Sequence, residues 1–400
     1  MNLLLATIDS LRLDFVSQTN SRVRTPRFDR CTERFLFSDR CFSVSSATRP
    51  VHTSLFTGLY PFEHGILGQK DSRLRGGVPL LFDLFRKRSY DVGAFSEAAE
   101  IFTGLDFGEQ IRQLAPATAT GNEQLQSWLA TGPSATSETT GRVLFVHYWG
   151  THTPYGATDN KAMGETARLL TDGRTEVIRE RYIRAVEQTF ELKLAPLIEK
   201  LDPRTWCVLI VSDHGESWRV GEELYHGATL RNSVLRVPFY LFIPGSIGMG
   251  ISAPIISIVD LFKTLTALFD LPPTNASGYG IDLRRTERRD RPLLAQIHPT
   301  SGPDLPMEES PLMIASRAPG RQWSLFDHVQ KYTYDVDSAS GRLEGTFSEE
   351  PSTRGWDHVA ASRAFDSIKA SSTVAHYPLT SSGGDSDLLL ERLRALGYVE

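Results

Sequence analysis

The chain predicts an α/β fold in which helices sandwich a mostly parallel central sheet, followed by a small C-terminal antiparallel subdomain. Three observations carry this expectation. Short apolar runs alternate with amphipathic stretches, as strands covered on both faces by helices require. Two of these runs lead directly to an aspartate, Asp9 and Asp213. Beyond Arg285 the apolar runs become shorter and more punctuated, which marks a change of architecture.

In chain order, Leu3–Ile8 is an unbroken apolar run and reads as the first buried strand. Pro26–Arg34 reads as a helix with proline at its first position, and His52–Thr57 as a second. Pro79–Arg88 predicts a helix, Asp91–Phe95 a strand, Asn122–Ala130 a short helix and Val143–Tyr148 a central strand. Thr175–Leu201 predicts one long helix with a stripe at Ile178, Tyr182, Ala185, Phe190, Leu194 and Leu197, suited to covering the sheet. Trp206–Val211 and Val237–Phe242 complete the strands, and Ile258–Phe269 reads as a helix. Ala115–Ser137, outside its short helix, and Tyr155–Gly173 are rich in Gly, Thr, Ser and Asp and read as solvated loops.

After the charged stretch Arg284–Arg291, the runs Leu293–Ile297, Leu312–Ile314, Trp323–Phe326 and Tyr332–Tyr334 read as the small antiparallel unit. A Ser/Gly-rich stretch, Ser371–Asp387, precedes an amphipathic helix near Ser386–Leu396. The expected division is 1–285 and 286–400, with no internal repeat.

Composition narrows the function classes. With 40% hydrophobic residues in 400, the chain can bury a large core, and its net charge of −5 argues against nucleic acid or an anionic membrane as main partner. An anionic substrate is not excluded, because a metal and local dipoles dominate a pocket's field. The three cysteines, Cys31, Cys41 and Cys207, match no zinc or disulfide pattern and read as structural thiols. No segment reaches the roughly 20 apolar residues of a membrane span, and the N-terminal run lacks the features of a signal peptide. A cytoplasmic protein is expected. The Asn275-Ala276-Ser277 sequon carries no weight in that setting.

The chemistry gathers in three segments. Thr48–Pro61, TRPVHTSLFTGLYP, places a hydroxyl, a proline and a histidine where a helix begins. Unpaired N–H groups and a partial positive charge there favour an anionic ester. Asp9 and Asp213-His214, each at the carboxyl end of a strand, stand where open α/β sheets place ligands. Two carboxylates, one imidazole and the Thr48 oxygen suit one divalent ion, which lowers the pKa of the hydroxyl.

These segments resemble the sulfatase-like branch of the alkaline phosphatase superfamily. The resemblance rests on Thr7-Ile8-Asp9-Ser10-Leu11-Arg12-Leu13-Asp14, on Thr48 through Gly58, and on Ser212 to Glu216 with His226-Gly227 and Arg236-Val237-Pro238. Thr25–Arg30, His152-Thr153-Pro154-Tyr155, Ile258-Val259-Asp260-Leu261 and the closing Leu393–Glu400 match in the same order. It implies an alkaline phosphatase-like sheet, a catalytic domain over 1–285, and a metal held by Asp9, Thr48, Asp213 and His214. Many family sulfatases carry asparagine at position 214 and bind calcium. The histidine here favours Mn, Zn or Fe, with Mg or Ca as alternatives.

The departures sharpen the reading. Sulfatases of the family use cysteine or serine at position 48, converted to formylglycine, and threonine cannot be converted. Threonine is similar instead to the nucleophile of the family's phosphodiesterases and phospho-group transferases. Ser10 replaces the usual second acid and His52 the usual arginine. The resemblance places His152 and His226 at the ester's non-bridging or leaving oxygens, where an imidazole can also act as general acid. Arg12 can pair with Asp14 or contact substrate. His147 reads as a satisfied core or supporting histidine, His64 as structural, and Trp149 and Tyr155 as pocket walls or core. A second ion on His147, His152 and His226 is the lesser alternative to a single one.

The expected function is therefore a metal-dependent hydrolase of phosphodiesters or phosphonate monoesters, using Thr48 as nucleophile on a small anionic ester. The alternatives are a phospho-group transferase, a sulfatase without formylglycine, and a catalytically idle binding protein.

Overall fold

The computed structural model describes residues 1–372 apart from 70–73, 115–122, 133–138, 157–159, 220–223, 247–249, 275–278, 286–290, 299–320, 349, 353–354 and 371. The sequon Asn275-Ala276-Ser277, the run Leu312–Ile314, the helix near Ser386–Leu396 and the ending Leu393–Glu400 lie outside the described residues, as does all of Ser371–Asp387 but Ser372.

The main sheet is built from β1 (Asn2–Ile8), β2 (Leu36–Phe42), β3 (Tyr90–Ser96), β4 (Arg112–Gln113), β5 (Gly141–Tyr148) and β6 (Trp206–Ser212). After a short hairpin of β7 (Ser217–Trp218) and β8 (Leu224–Tyr225), β9 (Arg236–Phe242) and β10 (Ile256–Ser257) complete it. The order is β10-β2-β9-β6-β1-β5-β3-β4. Only β9 runs against its neighbours, β2 and β6. The mixed α/β class and the largely parallel sheet therefore follow the expectation.

Strand alternation divides the core between the two faces. Leu3, Leu5, Val143, Phe145, Cys207 and Leu209 point to one apolar cluster, shared with Val51, Leu55 and Phe56 and with helix Ile258–Leu268. Leu4, Ala6, Ile8, Leu144, Val146, Val208 and Ile210 point to the other, covered by the Thr175–Gln188 helix and its continuation. A separate antiparallel sheet, β11 (Leu293–Ile297), β12 (Gln322–Phe326), β13 (Gln330–Asp335) and β14 (Ser340–Gly345), contributes Leu294, Trp323 and Leu325 to the first cluster.

Three elements differ from expectation. Thr175–Leu201 is not one α-helix. Thr189–Leu194 widens into a π-helix between helices Thr175–Gln188 and Ala195–Ile198. Pro196 offers no N–H and its ring crowds the carbonyl four residues earlier, so the local widening relieves the clash. The expected loop Tyr155–Gly173 contains a helix, Asn160–Thr171, that buries Ala167, Leu169 and Leu170. Its polar composition hides that stripe. Strand β2 escaped detection because Ser38-Asp39-Arg40 reads as a turn, and it is there that the pairing with β9 shifts register.

The helix at Thr48 begins earlier than expected, at Thr48 rather than His52. Pro50 falls in its first turn, where a missing N–H costs no hydrogen bond. The helix ends at Gly58, at φ 71°, where a Cβ would come within 2.5 Å of the Phe262 ring. Cys41 and Cys207 are buried, and burial pushes the Cys207 thiol up to about 12. Among the described residues no helix is long and apolar enough to cross a membrane.

Candidate metal and nucleophile centre

Asp9 and Asp213 follow the carboxyl ends of β1 and β6, neighbouring parallel strands in which Ile8 is registered with Ser212. That register sets the two carboxylates side by side. Thr48 is the first residue of its helix, fully buried, and aims its hydroxyl between them and His214. Thr48 Oγ1 donates to Asp9 Oδ2 at 3.2 Å and lies 3.3 Å from His214 Nε2. Ligand atoms of Asp9, Asp213 and His214 all lie within 4.8 Å of one another. The structure thus brings the four residues read as metal ligands into one cluster.

The cluster fits a cation on three counts. The Asp213 Oδ2 oxygen, 3.5 Å from His214 Nε2 and 3.9 Å from His52 Nδ1, is buried and makes no hydrogen bond to any described residue. His214 Nδ1–H donates to Gly215 O at 2.9 Å, which fixes the tautomer and leaves the Nε2 lone pair facing Thr48. The carboxylates also cannot both ionise comfortably without a cation. Burial and the Asp9 charge push Asp213 well above the usual carboxylate range. Burial works in the same sense on Asp9, but the hydrogen bond from His147 and the nearby His152 and His214 hold it well below that range.

The remaining residues sort by position. Ser10, at φ 56°, donates its backbone N–H to Asp213 Oδ1 at 3.1 Å and its hydroxyl to Asp9 Oδ1 at 2.6 Å. It orients both carboxylates from the place where the family carries an acid. His52 Nδ1–H donates to Thr48 O at 2.9 Å, and its Nε2 accepts from Thr7 Oγ1 at 2.9 Å. Buried and turned toward the backbone, it stands one helical turn after Thr48.

His152 and His226 both reach the cluster's rim, with ring centroids 4.8 Å apart and His226 4.6 Å from His214. Their protonation differs. His152 donates from Nδ1 to Thr153 O at 2.6 Å, and burial pushes it down to about 3, so it stays neutral. Burial opposes the charge on His226 too, but the Glu216 carboxylate, 3.0 Å from Nδ1, raises it above the ordinary histidine value. Trp149 stacks on His152 at 3.7 Å and so acts as a wall. Tyr155, whose hydroxyl lies 3.4 Å from Glu216 Oε2, is buried in the core.

Arg12 lies outside the cluster: it pairs with Asp14 through two nitrogens and donates to Glu216 O at 2.9 Å. His64 exchanges its ring nitrogens with Ser54 Oγ and the Ile66 N–H, deep in the core.

Two residues stand closer to the chemistry than the sequence suggested. His147 Nε2 lies 3.3 Å from Asp9 Oδ2 and its Nδ1 2.8 Å from Ser96 Oγ. With His52 and Asp213 it forms a second group of ligand atoms within 4.8 Å. Glu216, fully buried, holds both His226 and Thr153 Oγ1. Its signal in the sequence was its place at the end of the Ser212–Glu216 segment.

The family model described as Sulfatase matches residues 1–271. No curated protein matches the chain. Among solved structures, the chain resembles the phosphonate monoester hydrolase of Agrobacterium radiobacter, with 16% identity, 92% of this chain and 95% of that one covered, and a TM-score of 0.60. The phosphonate monoester hydrolase SpPMH from Silicibacter pomeroyi gives 15% identity, 92% and 93% coverage, and a TM-score of 0.63. BT1596, a 2-O GAG sulfatase, gives 13% identity, 92% and 90% coverage, and a TM-score of 0.65. At such identities these likenesses speak to the fold.

Proposed function

The chain belongs to the sulfatase family, and from that premise we propose that it is a metal-dependent hydrolase of phosphodiesters or phosphonate monoesters with Thr48 as nucleophile. The observation that carries this reading is the buried Thr48 hydroxyl, within 3.3 Å of both Asp9 Oδ2 and His214 Nε2. The fold shared with phosphonate monoester hydrolases supports it, as does a residue at position 48 that cannot become formylglycine.

Asp9, Thr48, Asp213 and His214 would hold one divalent ion, with Mn, Zn or Fe favoured by the imidazole ligand. When bound, the ion supplies positive charge that favours the Thr48 alkoxide and neutralises the ester oxygens. Asp9 takes the hydroxyl proton's hydrogen bond and orients Oγ1. Thr48 Oγ1 then gives up its proton to bulk water and attacks phosphorus as the P–O bond to the leaving alcohol breaks, giving phospho-Thr48. His226, on which the Glu216 carboxylate favours the proton, donates a proton to the departing oxygen. His152 keeps its Nδ1–H on Thr153 O. Water then attacks phosphorus, the P–O bond to Thr48 breaks, and the threonine hydroxyl is restored.

The test is turnover of p-nitrophenyl phosphate, phenyl phosphate diester, phenylphosphonate and sulfate by metal-reconstituted protein beside Thr48→Ala. Diester or phosphonate turnover is expected to fall about 10³-fold or more in the variant. Equal turnover in both proteins would remove Thr48 as nucleophile. A preference for the sulfate ester would replace the phosphorus reading.

A further inference from the structure

A cavity of about 380 Å³ lies beside the catalytic cluster, on the same carboxyl side of the sheet. Among the described residues its lining includes four arginines, Arg12, Arg179, Arg219 and Arg236, and one carboxylate, Asp14. Four guanidiniums facing one space supply a dense set of N–H donors, their net charge reduced by the carboxylates they pair with. Three of them are oriented by side pairs: Arg12 with Asp14 at 2.7 Å, Arg179 with Glu176 at 3.1 Å and Arg236 with Asp39 at 2.7 Å. Glu176 and Asp39 stand outside the lining, so these pairs position the cations without filling the cavity.

Two further features point to a ligand. Ser217, only 1% exposed, lines the cavity, and its Oγ makes no hydrogen bond to any described residue. A buried hydroxyl in that state costs free energy that a bound acceptor would recover. Thr175 also lines it, as the first residue of the fourteen-residue helix Thr175–Gln188, whose start carries no side-chain cap. Apart from the Val177 N–H, which donates to Arg174 O at 3.1 Å, its first-turn N–H groups therefore add donors and a partial positive charge.

We infer that this cavity binds a second oxyanion, a sulfate, phosphate or carboxylate group, beside the catalytic cluster. The two places are joined through Glu216. Its carbonyl accepts from Arg12 at 2.9 Å, and its carboxylate holds His226 at 3.0 Å. The inference deepens the proposed function by assigning a polyanionic class of ester, and to that extent rests on it.

Uptake of inorganic sulfate and of phosphate by the full chain, measured by calorimetry, tests the inference without any turnover. The wild type is expected to take up two oxyanions per chain. In an Arg179→Ala/Arg219→Ala variant one of them binds about 10- to 100-fold more weakly. Arg179 is 48% exposed, so its replacement leaves the fold intact, and an unchanged melting temperature checks this.

A single site in the wild type, or two unaltered sites in the variant, would overturn the inference. A kinetic arm then separates the sources of the anion. A KM raised about tenfold in the variant, only for aryl esters carrying a second anionic group, assigns the cavity to the substrate. Lost anion uptake with an unchanged KM assigns it to a free oxyanion. Failure of all turnover leaves the calorimetric result standing.

Discussion

Two buried polar clusters in this molecule are built on opposite plans. In the C-terminal sheet, Lys331 and Glu344 are as inaccessible as anything in the core, yet each charge is answered. Lys331 Nζ meets Glu344 Oε1 and Asn232 Oδ1, both at 2.7 Å, and Arg342 Nε meets the other Glu344 oxygen at 3.0 Å. At the ends of β1 and β6, two adjacent carboxylates face imidazoles, and one oxygen of Asp213 makes no hydrogen bond to any described residue. The first cluster carries its own cations, Lys331 and Arg342, on the Glu344 carboxylate, although Arg342 Nη2 and Glu344 Oε1 make no hydrogen bond to any described residue. The second gathers two carboxylates and imidazoles, a donor set that suits a cation. Burial of charge by itself therefore says little about function; the balance of the cluster does.

The sharpest way to break this contrast is to unbalance the first cluster. Lys331→Met leaves Glu344 buried with one cation and is expected to cost about 3–5 kcal/mol, read by urea denaturation. Adding Glu344→Gln should recover most of that loss. Turnover of the folded protein should change little in either variant.

The second cluster should respond in the reverse way. Asp213→Asn removes a like charge and costs under about 1 kcal/mol in metal-free protein, while turnover falls at least about 100-fold. If Asp213→Asn were as destabilising as Lys331→Met, the contrast between the clusters would collapse.

Metal supplies the next test. Manganese or zinc at about 100 times its Kd should stabilise the wild type by about 2.7 kcal/mol, seen as a rise in Tm. Asp213→Asn should show little of that rise, and Lys331→Met should show all of it. Chelation should return the wild type to its starting Tm.

A smaller effect comes from His64, a buried neutral group outside both clusters. It titrates near 6.5 in the unfolded chain, and burial pushes it down to about 3 in the fold. Because the folded form takes the proton less readily, this contribution is full above pH 6.5 and is lost as the pH falls toward 3. Between about pH 6.5 and pH 5 the expected loss is about 1–2 kcal/mol. His64→Gln should flatten that part of the stability profile.

Most of the central sheet was legible because its signals are local. Leu3–Ile8 and Trp206–Val211 are unbroken apolar runs, and each ends beside the aspartate it presents. Helix Asn160–Thr171 and strand β2 were not legible, since one buries a thin apolar stripe under polar residues and the other interrupts its pattern with Ser38-Asp39-Arg40. The π-helical segment was written in Pro196, but only a helix already committed to packing on the sheet must widen around it.

The candidate centre divides along the same line. Sequence alone determined which ligand types stand at strand ends and at the start of a helix: Asp9, Asp213, His214 and Thr48. Apolar runs and residue chemistry suggested them, and the resemblance of their short segments to the family's, in the same order, singled them out. Tertiary structure decided the supporting cast. His147 comes beside Asp9 because β5 is registered on β1 with Thr7 opposite His147. Glu216 reaches His226 across the β7–β8 hairpin, and Ser10 bonds both carboxylates only because β1 and β6 are neighbours. Such contacts join residues up to 203 positions apart. They depend on strand register, which the packing of the whole sheet sets and no local window of sequence contains.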